Sequence, residues 1–223
     1  LSSYGTTWVN LIFVTRGVNW VLGAFTFNET APVFTARDNY NTVTYVAPTV
    51  QTVARPVVSS YSVFGQATVP LSSQFEVIAG IRHNWDRQEY QRIVVQGFPN
   101  LTPEQRVGVQ KSTAITGKVG VNYKPDNNTL VYLTASKGYK AGGVNISPGL
   151  PNFGPESNFV YEAGTKLTLL QRRLRVNGAV FYSDYKDVQF SSQLNGLPAQ
   201  QNAASGKSWG GELEIAGQFG ALG

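Results

Sequence analysis

Residues 159–182 read FVYEAGTKLTLLQRRLRVNGAVFY, two runs of alternating side chains on either side of Gln171-Arg172. Phe159, Tyr161, Ala163, Thr165, Leu167 and Leu169 share one face of the first run, and Leu174, Val176, Gly178, Val180 and Tyr182 share one face of the second. A strand sends successive side chains to opposite sides. A two-residue loop at Gln171-Arg172 pairs Leu169 with Leu174, Leu167 with Val176, Ala163 with Val180 and Tyr161 with Tyr182. Every pair falls on the apolar face, as a real hairpin requires, because a slip of one residue would turn the whole set over. The opposite face carries Glu162, Lys166, Arg175 and Asn177.

The same period recurs outward from this hairpin. Phe75, Val77, Ala79, Ile81, His83 and Trp85 oppose Glu76, Ile78, Gly80, Arg82 and Asn84. Tyr61, Val63, Gly65, Ala67 and Val69 oppose Ser60, Ser62, Phe64, Gln66 and Thr68. Ile115, Gly117, Val119, Val121 and Tyr123 oppose Thr116, Lys118, Gly120, Asn122 and Lys124. A further strand sends Trp209, Gly211, Leu213 and Ile215 one way and Glu212 and Glu214 the other. In Thr129 to Lys140 both Leu130/Tyr132 and Val131/Leu133/Ala135 are apolar, so the facing of that strand stays open.

Connections alternate in length. Short ones fall near Thr15 to Val18, Pro70 to Ser73, Pro125 to Asn128 and Gln171-Arg172; long ones run from Thr30 to Arg55, Arg87 to Lys111, Gly142 to Ser157 and Ser191 to Asn202. Short turns at one end, long loops at the other, and strands apolar on one face describe an antiparallel transmembrane β-barrel of the outer membrane. The run from Leu174 to Tyr182 has about the 9–11 residues that a tilted strand needs to cross a bilayer. About nine strands are expected, an odd number where single-chain bacterial barrels are even. A slice of a larger barrel is therefore favoured over a complete small one.

Bulk properties agree. The 223 residues are 42% hydrophobic with a mean hydropathy of −0.15, and no run approaches the ~18 apolar residues of a membrane helix. Charged residues are 14%, below the ~25% of a typical soluble domain. With no Cys, the chain has no disulfide, no Cys-based zinc site and no thiol chemistry. It has no Met either and begins at Leu1 without a signal peptide, so a processed or partial chain is expected. The net charge of +5 is scattered, with no nucleic-acid signature. It reads as solvated loop and lumen charge or, alternatively, as an electropositive mouth for anionic ligands.

The segment Tyr132 to Asn145, YLTASKGYKAGGVN, resembles an element of TonB-dependent outer-membrane receptors, in which a strand runs into Lys-Gly-aromatic-Lys-x-Gly-Gly-x-Asn at its outer end. Asn19 to Gly23, Ala79 to Arg82, Tyr161 to Lys166 with Phe181 to Asp187, and Ser208 to Glu214 resemble further blocks of that family in the same order. The resemblance implies a 22-stranded barrel of which residues 1–223 are a part, with the family's plug and TonB-contacting box outside this chain. It implies an outer-membrane receptor of a Gram-negative bacterium for TonB-dependent uptake of a ferric siderophore or similar metal chelate. Vitamin B12, haem or oligosaccharide are the alternative cargoes, and a passive porin-like channel the alternative mechanism.

On this reading Glu76, Arg82, Glu162, Lys166, Arg175, Glu212 and Glu214 face the lumen and a plug. Ligand recognition, expected on loops held by a rigid scaffold, is assigned to Arg37, Tyr40, Tyr45, Arg55 and Phe153. Arg supplies a planar cation for anionic groups and Tyr a flat surface with a hydroxyl. No catalytic residue and no metal site are expected, since the lone His83 lies on the lipid side beside Trp85. A barrel enzyme would need a nucleophile and a base near the outer rim, and a soluble β sandwich would not alternate its loops. No cofactor is expected, because iron would arrive chelated. Partners are outer-membrane lipid and lipopolysaccharide, the chelate, and the TonB complex through the plug; no nucleic acid is expected, and the protein should be a monomer in the membrane. Gly138 to Gly143 lacks phosphate-loop spacing and is read as a bend or bulge. The N-x-[ST] triplets at Asn28, Asn100, Asn127 and Asn145 are read as accidents of composition.

Overall fold

A computed structural model describes residues 3–31, 33–38, 49–96, 105–145, 149–202 and 205–218. The strands are β1 (Ser3–Thr15), β2 (Val18–Thr30), β3 (Val33–Asp38), β4 (Thr49–Pro70), β5 (Phe75–Gln96), β6 (Gln105–Asp126), β7 (Thr129–Lys140), β8 (Glu156–Leu169), β9 (Leu174–Lys186), β10 (Gln189–Leu194), β11 (Leu197–Asn202) and β12 (Gly206–Gly217). All pair antiparallel. The main sheet runs β1-β2-β4-β5-β6-β7-β8-β9-β12, with β3 against the upper part of β4 and β10-β11 as a separate hairpin. The expected nine-strand wall is this path.

Hairpin registers follow the alternation. Leu169 pairs with Leu174, Leu167 with Val176, Ala163 with Val180 and Tyr161 with Tyr182. Gln171 and Arg172 both have positive φ (53° and 73°), and the Arg173 N–H donates to the Leu170 carbonyl at 3.1 Å. Left-handed conformation at both central residues matches the right-handed twist of the strands. At the β1-β2 turn Arg16 and Gly17 do the same, with φ of 49° and 81°. Between β6 and β7 the Asp126 carboxylate caps the turn, accepting from the Asn128 N–H at 2.6 Å, the local bond that suits Asp to turns.

The apolar face of this sheet points outward into solvent. Trp209 is 80% exposed and Leu213 71%, with Ile81, Leu133 and Val180 close behind. Among the described residues the buried apolar side chains are Ala54, Val144, Leu150 and Ala199, all near the long-connection end. An apolar face of this extent needs a cover, and lipid is the one the pattern selects. Aromatic residues mark its two borders. Near the short turns Phe13 stacks on Trp20 and Phe75 on Tyr123. Toward the other end lie Tyr61 opposite Trp85, and the adjacent row Tyr161, Tyr182, Trp209. From Phe75 to Trp85 is about 33 Å along the strand at ~3.3 Å per residue. A ~45° tilt reduces that to about 23 Å, near the ~25 Å apolar band of outer-membrane barrels. His83 stacks on Trp85 at 4.0 Å on this outward face, as expected.

The structure settles the open facing of β7. Val131 and Leu133 share the outward rows with Ala163 and Val180, while Leu130 and Tyr132 turn to the polar face with Glu162 and Lys166.

Three expected loops are corrected. Most of Arg87 to Lys111 is strand, because β5 continues to Gln96 and β6 begins at Gln105. β3 and the start of β4 occupy parts of Thr30 to Arg55, and Ser191 to Asn202 forms most of the β10-β11 hairpin. The physical reason is common to all three. Beyond the belt water lies on both faces, so Arg87, Gln88, Glu89 and Gln91 lose the apolar alternation while the ladder continues.

Candidate functional site

All seven residues expected in the lumen share the polar face, at different heights. Nearest the short turns, Glu76 accepts from Lys124 Nζ at 2.7 Å and from Asn122 Nδ2 at 3.4 Å. At the same end Glu214 accepts from Asn177 Nδ2 at 2.8 Å, and Lys166 and Arg175 stand exposed. In the middle, Tyr132 donates its hydroxyl to Glu162 at 2.6 Å, with exposed Glu212 beside Ala179 on the neighbouring strand. The Tyr132 ring lies flat across β8 because residue 164 is glycine; a Cβ there would stand 2.5 Å from the hydroxyl oxygen. The sheet thus spends a glycine to place a phenol against a carboxylate.

Arg82 is held hardest. Its guanidinium lies 5.4 Å from the Phe25 ring centroid and 5.8 Å from that of Phe64, and its Nε donates to Asn84 Oδ1 at 2.7 Å. Asn84 is 6% exposed and donates in turn toward the Ala114 carbonyl at 3.4 Å. Cation–π contact and a fixed hydrogen bond orient the charge before anything arrives. The alternation had placed Phe64 on the polar face, but that Phe25 joins it around Arg82 was not read. The available signal was two phenylalanines at inward positions of neighbouring strands. Arg82, Asn84, Asp86, Ser60 and Tyr139 line a recess of about 420 Å³.

Above this recess the chain after β7 folds inward over the wall. The Gly142 N–H donates to Ser112 Oγ at 3.0 Å and the Val144 N–H to Gln88 Oε1 at 2.9 Å. Asn152 Nδ2 donates to the Val109 carbonyl at 2.8 Å, on the part of β6 that runs on beyond its last β7 partner. Gly143 and Phe153 exchange two backbone bonds of 3.0 Å, and the Phe153 ring lies where a side chain at 143 would stand. Of the glycines expected to bend the strand, Gly142 and Gly143 serve close approach instead, whereas a side chain at Gly138 would meet open space. Asn145, 5% exposed, ties this segment to β11: its Nδ2 donates to the Pro151 and Gln200 carbonyls (2.7 and 2.8 Å), and its Oδ1 accepts from the Gln200 N–H at 2.7 Å. Asn202 repeats the arrangement with Gly154. These anchors were not predicted, although Asn145 closes the segment that carried the resemblance.

Of the five candidate ligand residues, the three that are described stand on different elements. Tyr40 and Tyr45 lie outside the described residues, and Arg37 is in β3 opposite Val50. Arg55 is on β4 rather than in a loop, opposite Gln91, exposed and on the outward parity of the strand. Phe153 is half-buried against Gly143. On the same outward parity as Arg55, the Gln91 amide, and after it the Arg87 guanidinium at 2.6 Å, hold the Glu89 carboxyl below its ordinary range.

The family model for the TonB dependent receptor-like β-barrel matches residues 2–223. The chain belongs to that family, and is an outer-membrane β-barrel chain of a Gram-negative bacterium. It is 27% identical over 208 residues to the pesticin receptor of Yersinia enterocolitica, covering 92% of this chain and 29% of that protein. It is 30% identical over 155 residues to the metal-pseudopaline receptor CntO of Pseudomonas aeruginosa, covering 69% and 21%. The ferric yersiniabactin uptake receptor FyuA from Yersinia pestis superposes with a TM-score of 0.76 at 22% identity, over 99% of this chain and 33% of that one. The chain thus spans about a third or less of each.

Proposed function

We propose that the protein to which this wall belongs imports a ferric siderophore or similar metal chelate with energy from the TonB complex. The observation that carries this reading is the inward-folded segment 142–145 and 149–154, pinned by Ser112, Gln88 and Asn145 above an oriented Arg82. A pinned polar vestibule above the plug-facing wall suits a receptor that captures a chelate, and membership of a receptor family favours this over a passive pore. Receptors for metal-chelating molecules among the relatives support the same class. Arg82, Glu162 and Glu212 would contact a plug, whose motion opens the path without covalent chemistry. Ligand contacts fall to Arg37, Tyr40 and Tyr45, while Phe153 acts by shaping the vestibule and Arg55 lies on the outward side.

The test is uptake of ⁵⁵Fe carried by a panel of siderophores, in cells whose only receptor is the full-length protein. Accumulation that vanishes when TonB is deleted or a protonophore is added is the expected result. Accumulation that persists unchanged would establish a passive channel. Arg82→Glu with Glu162→Arg should lower uptake at least about tenfold with normal surface expression; unchanged uptake would remove these residues from the plug interface.

A further inference from the structure

Just above the row Tyr161, Tyr182, Trp209, the outward face changes from apolar to basic. Lys137 sits opposite Phe159, and Phe159 opposite Asp184, which sits opposite Lys207; Lys186 is one step further up β9. The Lys137 and Lys186 ammonium groups lie 5.4 and 5.8 Å from the same Phe159 ring centroid. Asp184 is the carboxylate in this patch, leaving three cations to one anion, and among the described residues none of the lysines has an ion-pair partner. At the corresponding height on β5 the cation is neutralised, because Arg87 is bonded to Glu89.

Below Lys137 the lipid face holds a shallow groove of about 510 Å³ running between Ile81, Ile115, Val119, Ala135 and Tyr161 and ending at Lys137 and Phe159. A groove that fits an acyl chain, closed at the headgroup level by two cations on one ring, has the two-part chemistry of an anionic lipid. The patch is at the long-connection end, which in outer-membrane barrels is extracellular, so the facing leaflet is the outer one. Lysine serves phosphate as a compact point charge.

We propose that Lys137, Lys186 and Lys207, gathered about Phe159, bind the phosphate of an outer-leaflet glycolipid whose acyl chain lies in the Ile81–Val119–Tyr161 groove. This gives the expected contact with lipopolysaccharide a definite place on the wall, and it holds whatever cargo is carried.

The test is native mass spectrometry of the full-length protein, delipidated in detergent and titrated with three probes: bis-phosphorylated lipid A, the same lipid without phosphates, and inorganic phosphate. Wild type should retain bis-phosphorylated lipid A at least about tenfold better than the dephosphorylated form and should show no occupancy by free phosphate. Lys137→Gln/Lys186→Gln/Lys207→Gln should lose that preference. Arg172→Gln/Arg173→Gln, which removes charge at the opposite end, should keep it. If the triple glutamine variant does not assemble, the single variant Lys186→Gln and the charge-preserving Lys137→Arg/Lys186→Arg/Lys207→Arg supply the comparison: the first should weaken retention and the second preserve it. Equal retention of both lipids, binding of phosphate alone, or an undisturbed glutamine variant would each overturn the proposal.

Discussion

The two halves of β5 are one unbroken strand with opposite readings. From Phe75 to Trp85 an apolar face alternates with a polar one, with Ile78 and His83 the exceptions; from Asp86 to Tyr90 both faces are polar. The hydrogen-bonded register to β6 nevertheless runs from Phe75↔Tyr123 to Ile93↔Gln105 without a break. Alternation in polarity therefore reports what each face touches, whereas the ladder reports the strand. In the lower half lipid and lumen differ, so the faces differ. In the upper half water lies on both sides and the faces converge.

The sharpest way to break this comparison is to place one charge in each half. Val119→Arg, on the lipid face in mid-belt, should cost about 2–4 kcal/mol of folding free energy into lipid vesicles. Val109→Arg, at the same outward parity of β6 above the belt, should cost about 0–1 kcal/mol. Equal costs for the two would mean that the belt is misplaced.

The upper half depends instead on polar anchors. Asn145→Ala leaves the Gln200 N–H and two carbonyls without a partner, and leaving such buried groups unmet costs about 1–3 kcal/mol. Hydrogen exchange should quicken in residues 149–154 and in β11 and remain unchanged in β5 and β6. Faster exchange across the whole wall would show the two halves to be one cooperative unit.

A smaller effect belongs to the lower end, where Gln171 and Arg172 hold left-handed backbone without a glycine. Arg172→Gly should stabilise the β8-β9 hairpin by about 1 kcal/mol, the approximate penalty an L side chain carries there. A raised denaturation midpoint in vesicles is the expected outcome, and a lowered one would mean that the arginine side chain has a role of its own. Smallest is Glu89→Gln, which removes an exposed ion pair and should leave the midpoint unmoved. Because the Glu89 carboxyl is held below its ordinary range, whatever it contributes is present above that range and is lost as pH falls through the lowered value. NMR titration of the carboxyl carbon checks the direction.

Of the candidate site, the polar face was legible and the vestibule was not. Arg82, Glu162 and Glu214 were placed by parity, since a period of two fixes facing once one apolar neighbour is known. Loop boundaries failed where parity had nothing to report, as at Arg87 to Gln96. Arg55 was read as a loop residue for that reason and stands on a strand, pointing outward.

The amino-acid sequence by itself determined the alternating strands, the register of the β8-β9 hairpin with Tyr161 opposite Tyr182, and the lipid-facing side of every strand but β7 whose alternation was read. Each of these follows from local alternation against two unlike solvents. Tertiary structure alone decided that residues 142–145 and 149–154 fold inward, that Asn145 meets Gln200, and that Phe25 and Phe64 close on Arg82. Asn145 bonds to a backbone 55 residues away, and a backbone carbonyl or N–H is the same in every residue, so no side-chain pattern announces it. Only the fold, by laying the segment after β7 against β11, brings those groups within reach.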